Sequence, residues 1–116
     1  MAKKQRKWNR VHFFQEEKKQ KDTRGKFREH PALIFGQSGN QYKAIVFTKN
    51  ATTNGAKNEK LKHNVDPSDA SNCYGVYYRG PRPSSDFQKP SREYRIHKDD
   101  MPTLKRLKAG IKRKSR

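Results

Sequence analysis

The sequence predicts an α+β fold, mainly β: a small barrel preceded by a basic helical extension and closed off by a C-terminal amphipathic helix. Three observations predict it. The runs "ALIF" and "AIVF" are aliphatic and aromatic, and the "SGN" between them supplies Gly39 and Asn40, which both tolerate positive φ. Leu104, Leu107 and Ile111 recur at helical spacing behind Asp99, Asp100 and Pro102, residues suited to a helix start. Only 29% of the 116 residues are hydrophobic, so the chain can bury one small core and little more.

Each element follows in turn. Residues 1–7 are expected to stay unstructured until a partner neutralises them. Trp8, Val11 and Phe14 are spaced three apart, which predicts a helix over roughly 8–20, ending before the punctuation of Thr23–Gly25. The "HPALIFGQ" and "YKAIVFTKN" strands form a hairpin, and their continuous apolar character predicts burial on both faces, as in a small barrel. Residues 51–72 are a long polar excursion that Leu61 and Val65 pin to the core. "CYGVYYRG" reads as a third strand, "PRPSSDFQKPS" as a loop and "EYRIH" as a short fourth strand. The final helix carries Lys105, Arg106, Lys108, Lys112 and Arg113 on its outer face. The organisation is therefore a basic extension over 1–26, a barrel core over 27–97, and a helix and tail over 98–116.

Charge points to the partner. Twenty-nine Lys and Arg stand against eleven Asp and Glu, a net charge of +18. Residues 1–28 carry eleven basic and three acidic side chains and residues 98–116 eight and two, leaving ten and six between them. Such an excess favours a polyanion, nucleic acid first. Trp8, Phe13, Phe14, Tyr74, Tyr77 and Tyr78 offer stacking surfaces for unpaired bases, although for any single one of them core packing is the better account. A membrane surface is the weaker alternative, because Met101, Leu104, Leu107 and Ile111 are needed by the core. No apolar run approaches the ~20 residues of a membrane-spanning helix, and "MAKKQRKW" lacks the apolar stretch of a secretion signal. The expectation is a soluble, cytoplasmic protein.

Several chemistries are disfavoured. Cys73 is the single cysteine, which excludes an internal disulfide, and it reads as a small buried residue at a strand start. His12, His30, His63 and His97 show no ligand spacing, so neither a metal nor another cofactor is expected. Phosphate-binding glycine loops and nucleophile elbows are absent. What is left is acid–base chemistry on the hairpin. RNA is cut without metal when its 2′-hydroxyl attacks the adjacent phosphorus, which needs a base, an acid, and donors or cations on the phosphorane oxygens. Imidazole can both give and take a proton, so His30 can fill either proton-transfer role, although on residue type alone a surface histidine at a strand entrance is the better account. Thr48, with Thr52 and Thr53 beyond it, can donate to phosphate, while Arg28 and Lys49 supply charge.

The pattern "HPALIF–turn–YKAIVFTKN" resembles the core hairpin of the MazF/PemK-like endoribonuclease toxins and their ToxN-related branch. The resemblance implies an SH3-like β-barrel with a C-terminal helix, matched here by "EYRIHKDDMPTLKRLKAGI". It places His30 where the family carries a catalytic arginine before proline, and Thr48 at or near the catalytic threonine, with Thr52 or Thr53 as fallback. The family's apolar opening strand is replaced by the basic N-terminal segment. The implied activity is metal-independent cleavage of single-stranded RNA, by a homodimer held in check by an antitoxin of protein or RNA. Arg28, Lys49 and Arg79 would line the RNA groove, and Lys105, Arg106, Lys112 and Arg113 would add nucleic-acid contacts, with RNA preferred over DNA. The alternative is a non-enzymatic nucleic-acid-binding protein on the same barrel, such as a ribosome-associated factor or an accessory factor of a phage or mobile element.

Overall fold

In the computed structural model of the chain, which describes residues 8–9, 13–18, 20–21, 27–28 and 30–110, the central hairpin forms where the turn chemistry demands it. The first strands in chain order are β1 (Trp8–Asn9), β2 (Phe13–Glu17), β3 (Gln20–Lys21), β4 (Phe27–Arg28), β5 (Pro31–Ser38), β6 (Gln41–Thr48) and β7 (Thr52–Thr53). After them come β8 (Ala56–Lys57), β9 (Glu59–Lys60), β10 (Tyr74–Gly75), β11 (Arg82–Pro83), β12 (Phe87–Gln88) and β13 (Ile96–His97), then helix α1 (Met101–Ala109). The β5–β6 turn places Gly39 at φ 59°, the left-handed region that glycine enters without a Cβ penalty.

The main sheet is antiparallel, in the order β12-β2-β5-β6-β10-β9, with β11 also paired to β6. Its edges, β12 and β9, do not pair with each other among the described residues, so the sheet is open and the expected barrel is not closed. The physical reason lies in the segment from 74 to 83. It runs along β6 as one interrupted strand, pairing Tyr74 with Thr48 and Arg82 with Tyr42, and leaves regular strand structure over residues 76–81 between. Too few residues keep a regular ladder to bend the sheet round on itself.

The N-terminal helix expected over residues 8–20 is also overturned: Phe13–Glu17 is a strand lying between β12 and β5. The three-residue spacing of Trp8, Val11 and Phe14 misled because the working period here is two. Phe14 and Glu16 are buried while Phe13 is 42% exposed, which is strand alternation with a polar residue at one inward position. Residues 1–7, where an unstructured tail is expected, lie outside the described residues.

Both faces of β5 are covered, as its unbroken apolar run requires. On one face Phe14, Leu33, Ile45 and Phe47 pack with Leu61, Val65, Cys73, Ile96 and the α1 residues Leu104 and Leu107. On the other, Ala32, Ile34 and Phe87 gather Tyr42, Ala44 and Val46. A bulge between Ile34 and Gly36 shifts the register at Phe35, whose ring then meets Tyr78 edge-on at 5.0 Å. Burying each large side chain contributes about 2 kcal/mol, so the inner face of the sheet is what holds α1 in place. The polar excursion is partly ordered: Asn54 and Gly55, both at positive φ, turn the small β7–β8 hairpin, an Asn-Gly signal that the sequence reading passed over.

Helix α1 begins as expected, with Pro102 in its first turn, and ends before Gly110, which takes the left-handed conformation past its last residue. Asp100 stands at the N-cap but its carboxylate does not cap the helix. It accepts the backbone N–H groups of Lys62 and His63 instead. Ile111 lies outside the described residues.

Candidate functional site

The two expected catalytic residues meet at one end of the hairpin: the β5–β6 ladder runs out at Ala32 and Val46, and His30 and Thr48 both line the cavity just beyond it. His30, Pro31, Phe47, Thr48, Lys49 and Asn50 all line one cavity of about 340 Å³ at this end of the sheet. The His30 carbonyl accepts the Glu17 N–H at 2.8 Å, which ties the strand entrance to β2. Thr48 Oγ1 accepts the Asn50 N–H at 3.2 Å, so its hydroxyl proton is directed elsewhere.

The floor and far wall of the cavity come from residues that sequence reasoning did not single out. Glu16, 1% exposed, reaches it from β2. Its Oε2 accepts the Ser91 hydroxyl at 2.8 Å and the Tyr94 hydroxyl. Burial raises the Tyr94 phenol well above its ordinary range, and the bond to Glu16 adds to the effect. Asp66 is buried, and desolvation pushes its carboxyl up; the Ser68 hydroxyl, the Ser68 N–H and Arg92 outweigh that and hold it below its usual value. Arg92 Nη1 meets Asp66 Oδ2 at 3.1 Å. Asp69 is lowered to about 2, first by the Ser71 hydroxyl, then by the Ser71 N–H and Lys49. Burial pushes the Cys73 thiol up to about 11, which suits packing and disfavours a thiolate nucleophile.

The cations expected to bind nucleic acid divide into distinct groups. Lys49 is 69% exposed on the cavity rim, 3.3 Å from Asp69. Arg79 and Lys105 are exposed on the surface. Arg106 is not available as expected: its Nη2 binds Glu59 Oε1 at 2.8 Å and Thr103 Oγ1 at 3.1 Å, because the residue sits where α1 crosses β9 rather than on the outer face. Arg28 falls in β4, across from Gln20. Lys112 and Arg113 lie outside the described residues. The fallback threonines are not among the residues that line the cavity; Thr53 Oγ1 accepts the Asn58 side-chain amide at 2.8 Å within the β7–β8 hairpin.

A second cluster forms away from that lining. His63 and His97 are far apart in sequence, yet their rings stack with centroids 3.6 Å apart, and Asp99 joins them. His12 lies outside the described residues. No signal in the spacing of the histidines marks this meeting, since only the fold creates it. Among the described residues no helix is long and apolar enough to cross a membrane. No family model matches this chain, and neither does any curated protein or solved structure.

Proposed function

We propose that the protein acts on RNA in the cytoplasm as a toxin-type endoribonuclease that needs no metal, and we read its open sheet and C-terminal helix as an SH3-like arrangement. The observation that carries this reading is that His30 and Thr48 line the same polar cavity. In that arrangement His30 exchanges the proton of the attacking 2′-hydroxyl or of the leaving oxygen, with the other transfer left to solvent or to a second group. The Thr48 hydroxyl donates to a phosphate oxygen, and Lys49 and Arg92 offset the charge that develops on the phosphorane. The net charge of +18 supports RNA as the polyanion, held by contacts that weaken steeply as salt rises. A homodimer and an inhibiting antitoxin belong to the same reading.

One observation favours a second reading, a non-enzymatic nucleic-acid-binding protein. The cavity that would hold the phosphate also holds Glu16, Asp66 and Asp69, and its two cations are already paired with Asp69 and Asp66. On this reading the basic segments bind the nucleic acid and the cavity is structural.

The discriminating experiment is cleavage of labelled single-stranded RNA in excess chelator by wild type, His30→Ala and Thr48→Ala, with binding to the same RNA measured in parallel. Cleavage that both substitutions abolish while binding persists supports the nuclease. Salt-sensitive binding with no cleavage by wild type overturns the nuclease and leaves the binding protein.

A further inference from the structure

The stacked histidines lie in an arrangement that a simple surface contact does not explain. His63 Nε2 is 3.2 Å from Asp99 Oδ2, and His97 Nδ1 is 3.5 Å from the same oxygen. One donor atom from each of the three residues lies within 4.8 Å of the others. Donors bound at about 2.0–2.1 Å around a tetrahedral zinc ion stand about 3.3 Å from one another, so both edges that share Asp99 already have nearly the separation such an ion imposes.

The fold holds this geometry from three sides. His97 is 7% exposed and closes β13, which fixes its backbone in a ladder with β1. Its Nδ1 accepts the Asp99 N–H at 3.1 Å, so this nitrogen is unprotonated and presents its lone pair toward Asp99. The Asp100 carboxylate accepts the N–H groups of Lys62 at 2.7 Å and His63 at 2.9 Å, which anchors the loop bearing His63 over the start of the helix.

We propose that His63, His97 and Asp99 form a binding site for a divalent transition-metal ion of the zinc class. Two imidazoles and one carboxylate suit zinc and its first-row neighbours, whereas magnesium and calcium require oxygen cages. The rings are inclined by only 20°, so as they stand they cannot both aim in-plane lone pairs at one point. Capture turns the His63 ring, 38% exposed, while the buried His97 stays in place. The ion takes the His97 lone pair from the Asp99 N–H, which then faces solvent. Three protein ligands leave a position for water, and the 45% exposure of Asp99 admits it. Lys62 lies close enough to Asp99 to oppose a cation, while Asp100 adds a second negative charge beside the site. The bound ion would clamp the 61–63 loop to the helix start, a role separate from any chemistry at the His30–Thr48 cavity.

The test uses the full chain, stripped of metal by chelation, and titrates it with zinc against a chromophoric chelator. Cobalt serves as a second probe, through the visible absorption of a tetrahedral complex. Wild type, His30→Ala, His63→Ala and Asp99→Ala are compared; both substituted ligands are partly exposed, and circular dichroism checks that each variant is folded. The expected result is one zinc equivalent in wild type and His30→Ala, with affinity reduced at least about tenfold in His63→Ala and in Asp99→Ala. Absence of a stoichiometric site in wild type overturns the proposal. So does binding that survives either His63→Ala or Asp99→Ala unchanged, which would place the metal elsewhere on the chain.

Discussion

The carboxylate of Asp100 accepts the backbone N–H of His63 at 2.9 Å, and its second oxygen accepts that of Lys62 at 2.7 Å. Asp100 is 1% exposed, so its carboxylate is buried at the foot of α1, and loop amides satisfy it where helix amides ordinarily would. Hydrogen bonds to a charged group contribute about 1.5–3 kcal/mol each. Asp100→Ala is expected to lower stability by about 3 kcal/mol or more, and Asp100→Asn, which keeps one acceptor, by about half as much. Urea unfolding of the two variants beside wild type measures this. Equal stability of Asp100→Ala and wild type would show that the latch contributes nothing.

Gly75 is required by contact and not by backbone conformation. A Cβ there would lie 2.4 Å from Leu107 Cδ1, and Leu107 is fully buried beneath the sheet. Forcing a methyl group into this packed junction costs about 1–3 kcal/mol. Gly75→Ala is therefore expected to destabilise the protein, and to cost markedly less in a Leu107→Ala background, where the space exists. A double-mutant cycle by chemical denaturation reads the difference, which should reach at least about 0.5 kcal/mol for residues in direct contact. Additive effects would remove Leu107 as the cause.

Acid should loosen the wall of the cavity. Asp69 and Asp66 both have folded-state pKa values below their ordinary ones, Asp69 at about 2. A carboxyl lowered on folding contributes stability above its unfolded pKa of about 3.9 and loses it as pH falls through the folded value. Thermal midpoints recorded between pH 6 and pH 2 should fall below about pH 4, and Asp69→Asn should flatten that fall. An identical drop in the variant would show that Asp69 has no part in it.

Some of this molecule was legible in the chain. The β5–β6 hairpin, the start of the C-terminal helix at Pro102, and the anchoring of Leu61 and Val65 all follow from local patterns that sequence alone displays. The cavity rim was legible in part, because His30 stands just before β5 and Thr48 ends β6, two adjacent strands whose register a short turn sets. The strand at Phe13–Glu17 was not, since Glu16 occupies an inward position that pattern reading assigns to an apolar residue.

The sequence by itself determined the central hairpin, the C-terminal helix and the excess of positive charge, because turn geometry, side-chain periodicity and net charge depend on neighbours along the chain. Only the tertiary structure decided that the sheet stays open, that Arg106 is held by Glu59, and that Glu16, Asp66, Arg92 and Tyr94 close a cavity around the hairpin end. It alone brought His63 onto His97. A buried carboxylate must find donors wherever the fold can supply them. For Glu16 and Asp100 these donors come from segments far away in sequence, so no local pattern could have named them.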